Sequence, residues 1–348
     1  MVTKPIFGNL ISIDKLEALD NYILTTIEEP WQIIQSDIQN KPNEIIYNLN
    51  MDLKHLEYIA ESLSEKVDDS FTIVGLGGGS SCDTAKYLAW KFNTIFKKNL
   101  NLILIPSIIS VDAFLCSSIA VRIKNKVNYI GESDPESILI DFDIIKKAPK
   151  YLNRAGVSDT ISITSALGDW KLERDEVNGR FDKSIFNKAK KIALNLMKFK
   201  EDIRNITNKG IRALVNGFYE EVVLCEKWGD ARPEEGSEHF LAYCIESITH
   251  DHYIHGNIIG LNILISLFLQ NDYAEFSYTE ISEFFHYIML DVSLVNLTLS
   301  EEILRKALNL IQDFVLKENL AYSIYNSPKL KLDKKKVDKV IAFINTII

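Results

Sequence analysis

Residues 71–86 read FTIVGLGGGSSCDTAK. A buried-strand run, Phe71–Leu76, ends in Gly77-Gly78-Gly79 and leads to a helical stretch, Asp83–Phe96. Around this join the chain alternates short apolar runs with amphipathic ones. Ile45–Leu49 reads as a strand, and Asp52–Lys66 carries Leu53, Leu56, Ile59, Ala60 and Leu63 at helical spacing. Leu102–Pro106 reads as a further strand. Strand, helix, strand in this rhythm predicts a mostly parallel sheet covered on both faces. Parallel crossovers are right-handed, so the loops after the strands gather at one sheet edge, where ligands bind.

The glycines let the backbone approach a ligand with no Cβ in the way. The following helix aims free N–H groups and its positive end at the turn, which suits a pyrophosphate. Ser80 or Ser81 is a candidate helix cap, and Asp83 either caps the helix or binds a ligand hydroxyl. The spacing is neither GxGxxG nor a P-loop, so by itself the turn also fits a plain glycine-rich connection.

Residues 118–143 turn β-branched and polar, with Gly131 and Pro135 as punctuation, and predict a hairpin followed by a last strand, Ile138–Ile140. From Gly156 the pattern becomes helical. Helices are predicted over Ser158–Glu176, Lys183–Asn205, Gly210–Trp228, Gly236–Ile248, Asn257–Gln270, Tyr278–Leu290 and Ser300–Leu316. The expected organisation is an α/β domain over 1–155 and an all-α domain over 156–348, meeting around a cleft.

Composition narrows the function. A formal charge of −9 disfavours a nucleic-acid partner, and the Lys-rich run Lys329–Lys339 reads as the solvated face of a terminal helix. No run of ~18 apolar residues is present, so no membrane span is expected. The N-terminal segment acquires acids where a signal peptide needs an apolar core. Cys82, Cys116, Cys225 and Cys244 show no paired spacing, which suggests reduced thiols and a cytoplasmic location.

The helical half offers Asp159 in GVSDTIS, His239 in GSEH and His255 in HGN. One Asp and two His from three helical segments suit a zinc or ferrous ion with a position open for a substrate oxygen. Each residue alone also fits a structural role, Asp159 as a helix cap and the histidines as polar core or surface. His250 and His252 read as loop residues. Neither a GxSxG elbow nor HExxH occurs.

Taken together, these segments resemble the iron-containing alcohol dehydrogenase and dehydroquinate synthase superfamily. GLGGGSSCDTAK resembles its GGGSxxDxAK signature. IPSIISVDAF, GVSDTISITSALGDWKLERDE, GSEHF and HGNIIGLNIL follow in the same order from about residue 45 to 265. The DTIS…DW pairing points to the glycerol-1-phosphate and glycerol dehydrogenase branch. The resemblance implies an N-terminal Rossmann-like domain binding the dinucleotide and a helical domain binding metal and substrate.

Residue by residue, it implies that Gly77, Gly78, Gly79 and Ser80 cradle the pyrophosphate with Asp83 nearby. Ser107, Ser110 and Cys116 lie on a second cofactor loop. Asp112 contacts substrate or nicotinamide, and Asp159, His239 and His255 hold the metal. Tyr243 stands where the family usually has a second His, and Asn257 where an acid follows the later His-Gly; Cys116-Ser117 replaces Ser-Pro. Asp112 and Tyr243 are the candidate catalytic residues.

The implied reaction interconverts glycerol and dihydroxyacetone, or sn-glycerol 1-phosphate and dihydroxyacetone phosphate. The implied cofactors are NAD or NADP and one divalent metal, zinc before iron or nickel. Acidic Glu28 and Glu29, after the strand Ile23–Thr26, favour a free 2′-hydroxyl and hence NAD. A small-molecule substrate and a homo-oligomer complete the expectation. The alternatives are a sugar-phosphate cyclase and a paralogue that keeps the fold without catalysis.

Overall fold

The computed structural model describes residues 2–124 and 126–347. The chain divides into two compact units, Met1–Asn153 and Arg154–Ile348, the division falling two residues before the boundary read from the sequence.

In the first unit the strands are β1 (Ile6–Gly8), β2 (Asn21–Thr26), β3 (Glu44–Tyr47), β4 (Phe71–Gly77), β5 (Asn101–Pro106), β6 (Ser118–Ile123), β7 (Lys126–Glu132) and β8 (Ser137–Asp141). The helices are α1 (Ile11–Glu17), α2 (Glu28–Ile34), α3 (Leu53–Leu63), α4 (Gly79–Thr94) and α5 (Phe142–Lys147). Six strands form one sheet in the order β1-β8-β5-β4-β2-β3, and every pairing in it is parallel. β6 and β7 form a separate antiparallel hairpin.

Alternation along β4 explains the layering. Val74 and Leu76 join Leu16, Trp31, Ile34 and Ile144 in a buried cluster beneath α1, α2 and α5. Gly75, on the opposite face, lets Ala85 of α4 approach so closely that an added Cβ would stand 2.9 Å from its methyl carbon. The connection leaving β2 runs outward to its neighbour β3, whereas the one leaving β4 runs the other way to β5. Reversal of direction opens a crevice between the carboxyl ends of β2 and β4, the usual ligand position in such sheets. The glycine turn stands there, level with Pro106 at the end of β5.

α4 starts at Gly79, four residues before the expected start at Asp83. Ser80, Ser81 and Asp83 therefore lie inside the helix, and none caps it; the N-cap is Gly78, with no side-chain hydrogen bond. The turn after Ile23–Thr26 is itself a helix, α2, which accommodates Pro30 because its first-turn N–H groups need no intrahelical partner.

In the second unit the helices are α6 (Lys150–Ala155, which carries the chain across the division), α7 (Val157–Val177), α8 (Lys183–Met197), α9 (Lys200–Asn205), α10 (Asn208–Trp228), α11 (Ser237–Thr249), α12 (His255–Gln270), α13 (Tyr278–Ile288), α14 (Glu301–Lys317) and α15 (Lys334–Ile347). The single helix expected over Lys183–Asn205 is two. The break comes where Lys198 and Phe199 donate to the carbonyls three residues back, Asn195 and Leu196, and tighten the last turn of α8.

α7 is buried at every position from Val157 to Trp170, and α12 at nearly every position. Helices buried all round occupy the centre of a bundle. α7 packs against α8, α10, α11 and α12. Among the described residues no helix is long and apolar enough to cross a membrane.

Candidate active site

Three helix beginnings meet in the second unit. Asp159 and His239 are the third residues of α7 and α11, and His255 is the first of α12. Their ligating atoms all lie within 4.8 Å of one another. Asp159 Oδ1 stands 3.2 Å from His255 Nε2, and the two imidazole centroids are 5.4 Å apart. Glycine makes the approach possible. A Cβ at Gly256 would collide with the Ala155 carbonyl, and one at Gly260 would meet Val292 and the Ser158 hydroxyl. These two glycines, one helical turn apart, let α12 lie against the start of α7 and bring His255 to Asp159.

The donor set fits a divalent cation. Asp159 Oδ1 is buried and makes no hydrogen bond despite its imidazole neighbour, which leaves a carboxylate oxygen and a ring nitrogen directed at common space. Burial pulls the His239 pKa down, but the Glu238 hydrogen bond and the charges of Glu235, Glu238 and Asp159 outweigh it and raise the value to about 9. The pocket thus calls for positive charge. One carboxylate oxygen and two imidazole nitrogens suit zinc or ferrous iron, and three protein ligands are what catalytic sites of this kind use.

His239 and its helix are held by residues that no sequence spacing singles out. Glu238 Oε1 lies 2.9 Å from His239 Nδ1 and accepts the Gly236 N–H at 2.6 Å; its Oε2 accepts the Ser165 hydroxyl at 2.6 Å. Asp169 Oδ2 accepts the Ser237 N–H at 2.7 Å, and Oδ1 the Ile324 N–H at 2.7 Å. The only sequence signal was their presence in the GSEH and DW segments.

The departures from the family pattern have physical readings. Tyr243, one turn beyond His239, donates to Glu235 Oε1 at 2.9 Å, with its ring centroid 6.2 Å from that of His239. Asn257 Nδ2 donates to the Asp291 carbonyl at 2.6 Å, a bond that an ionised acid has no proton to make. His250 and His252 are exposed.

The glycine turn of the first unit is built for close approach. Gly77 has φ +155°, and a Cβ there would collide with the Ser81 hydroxyl. Gly78, Gly79 and Ser80 are partly exposed at the start of a 16-residue helix that no side chain caps. That is the arrangement in which backbone N–H groups bind phosphate.

The second loop is tied to the first by Ser107 N–H, which donates to the Gly77 carbonyl at 2.9 Å. Ser107 is buried, whereas Ser110, Asp112 and Cys116 are partly exposed. The Cys116 thiol donates to Asp112 Oδ2 at 3.1 Å. Asp83 lies inside the unit and pairs with the fully buried Lys86 at 2.7 Å. Lys86 Nζ also donates to the carbonyls of Ala113, Cys116 and Ser118, at 2.9, 3.0 and 2.7 Å. Burial holds the Asp83 pKa above the usual carboxylate range, against the pull of Lys86 and the Ala120 N–H. The signature's Asp and Lys therefore brace the second loop from inside the unit. Glu28 and Glu29 stand exposed where α2 leaves β2, the strand beside β4.

Comparison with known proteins finds relatives along the chain. Residues 13–149 match the family model described as iron-containing alcohol dehydrogenase. The glycerol-1-phosphate dehydrogenase [NAD(P)+] of Saccharolobus islandicus is 28% identical over 253 residues, covering 71% of this chain and 69% of that one. The enzyme of the same name from Sulfurisphaera tokodaii is 26% identical over 316 residues, 86% of each. A probable glycerol dehydrogenase from Sinorhizobium meliloti 1021 has the same fold, with a TM-score of 0.75 at 14% identity over 100% of this chain and 99% of that one. The iron-containing alcohol dehydrogenase match thus covers the first unit, and the similarity to glycerol-1-phosphate dehydrogenases extends over most of the chain.

Proposed function

We propose that the chain is an NAD(P)-linked, metal-dependent dehydrogenase that interconverts a small polyol, or a polyol phosphate, and its ketone. The observation that carries this reading is the triad, where Asp159 Oδ1 is buried without a hydrogen bond beside two imidazoles. The similarity to glycerol-1-phosphate dehydrogenases supports the substrate class. When bound, the metal supplies Lewis-acid stabilisation of charge on the reacting oxygen, and the nicotinamide gives or takes the hydride.

Asp159, His239 and His255 hold the cation. Gly77, Gly78, Gly79 and Ser80 cradle the dinucleotide pyrophosphate at the start of α4. Ser107, Ser110 and Cys116 line the second cofactor loop, fixed in place by Lys86. Asp112 on that loop and Tyr243 beyond the triad are the proposed proton-handling groups. Tyr243 already donates to Glu235, so a proton leaving a substrate alcohol has a hydroxyl and a carboxylate to pass along. The ion is zinc in this proposal, and Glu28 and Glu29 favour NAD. A cytoplasmic location fits four cysteines of which none is in a disulfide.

The test is reconstitution of purified protein with zinc, nickel or ferrous iron. NADH or NADPH is then added with dihydroxyacetone phosphate or dihydroxyacetone, and loss of reduced-nicotinamide absorbance is followed. Metal-dependent turnover with either ketone is the expected result. A metal-loaded protein inert toward both ketones would sink the glycerol assignment.

A further inference from the structure

We propose that Glu238 is a positioning residue of the metal centre, fixing His239 as the Nδ1–H tautomer so that Nε2 is the ligating atom. The inference rests on the reading of Asp159, His239 and His255 as metal ligands.

Glu238 is fully buried, and both its carboxylate oxygens are engaged. Oε1 takes His239 Nδ1 at 2.9 Å and the Gly236 N–H at 2.6 Å; Oε2 takes the Ser165 hydroxyl at 2.6 Å. A carboxylate can only accept, so the imidazole nitrogen facing it must carry the proton. The other nitrogen then presents its lone pair. A carboxylate behind a ligating imidazole fixes the ring's orientation and makes the ligating nitrogen more basic.

The same residue links all three ligand-bearing helices. Its side chain reaches Ser165 on α7, and its backbone carbonyl accepts Asn262 Nδ2 of α12 at 2.9 Å. α12 returns the contact where Gln270 Nε2 donates to the Ser165 carbonyl at 2.7 Å. Glu238 is therefore placed to set both the tautomer of one ligand and the spacing of the helices that carry the others.

The test uses the full chain with Glu238→Ala and Glu238→Gln. Zinc affinity is measured by competition with a chromophoric chelator, the cobalt-loaded visible spectrum is recorded, and melting of the metal-free proteins is followed alongside. Glu238→Ala is expected to weaken zinc binding by roughly 10- to 100-fold. Glu238→Gln, whose amide oxygen still accepts from Nδ1–H, is expected to restore most of that affinity while shifting the cobalt bands. Should Glu238→Ala fail to fold, Glu238→Gln decides alone. A shifted cobalt spectrum supports the proposal, and one superimposable on wild type with unchanged affinity overturns it. Zinc affinity of a folded Glu238→Ala within about twofold of wild type also overturns it. A wild-type chain that takes up no metal would instead remove the triad reading, and this inference with it.

Discussion

Asp169 Oδ2 accepts the Ser237 N–H at 2.7 Å, so a carboxylate from the fourth turn of α7 receives the first N–H of the helix that carries His239. Its other oxygen holds the Ile324 N–H, a residue 155 positions away. Gly236 leaves room for this, since a Cβ there would press on Asp169 Oδ2 at 2.6 Å. Asp169 and Glu238 together tie the beginning of this helix, and with it His239, to α7.

A pH signature follows from that burial. Desolvation raises the Asp169 pKa from 3.8 to about 6, a rise that the Arg232 charge and the Ser237 hydrogen bond only partly oppose. The folded chain then binds more protons than the unfolded one between about pH 4 and 6, so this group's contribution to stability falls as pH rises through that window and is flat above it. At about 1.4 kcal/mol per pH unit the change is about 3 kcal/mol. Asp169→Asn removes the titration. The expected result is that the wild-type advantage over Asp169→Asn in urea denaturation shrinks by about that amount from pH 4 to 7. An advantage independent of pH would show that the carboxyl titrates at its ordinary value.

Lys86 gives a second prediction. Its ammonium is fully buried against Asp83 and three carbonyls. Lys86→Met leaves the Asp83 charge buried without its cation, which should cost about 3–5 kcal/mol in denaturant unfolding. Adding Asp83→Leu should recover part of that loss, because the stranded charge is then gone. A single substitution that costs nothing would mean that the loop over residues 113–118 is held by other contacts.

These two networks show what a sequence can and cannot disclose. The glycine turn, the parallel strands and the helical second half were legible because each writes a local period or an obligatory residue type. Asp159, His239 and His255 were legible one by one as candidates, and the structure brings them within 4.8 Å of one another through the close seating of α12 on α7. The role of Lys86 writes no local pattern, since its partners include carbonyls about 30 residues onward. Asp169 and Glu238 answer to backbone N–H groups and hydroxyls on other helices, a long-range relationship that no spacing encodes. β1 is three residues long with Ile6 exposed, too short to show alternation.

Gly77 and Gly79 should separate fold from binding. Gly77→Ala forces a side chain into a conformation at φ +155° and against the Ser81 hydroxyl, and should cost about 1–3 kcal/mol of stability. At Gly79 the nearest atom to an added Cβ is Val111 Cγ2 at 3.3 Å, so Gly79→Ala asks only for a small adjustment. Its methyl group would still stand where a pyrophosphate must approach the N–H groups. Losing one or two hydrogen bonds to a charged group, each worth about 1.5–3 kcal/mol, should weaken NADH binding by tenfold or more in a fluorescence titration. Unaltered NADH affinity in a folded Gly79→Ala would place the dinucleotide elsewhere.

The triad itself is tested by removing each ligand in turn. Asp159→Asn keeps the shape of the side chain and one oxygen but deletes the charge that a divalent ion needs. His239→Ala and His255→Ala delete a nitrogen each. Lewis-acid stabilisation contributes several kcal/mol to the transition state, and about 1.4 kcal/mol is tenfold in rate. Each variant should therefore lose about a thousandfold or more in kcat. His255 is the most exposed of the three, its side chain 37% accessible against 11% for each of the other two, so its loss should disturb folding least. Bound zinc per chain, measured by elemental analysis, should fall with activity in all three. A His255→Ala chain that kept both metal and turnover would remove His255 from the ligand set and leave the site a two-residue one.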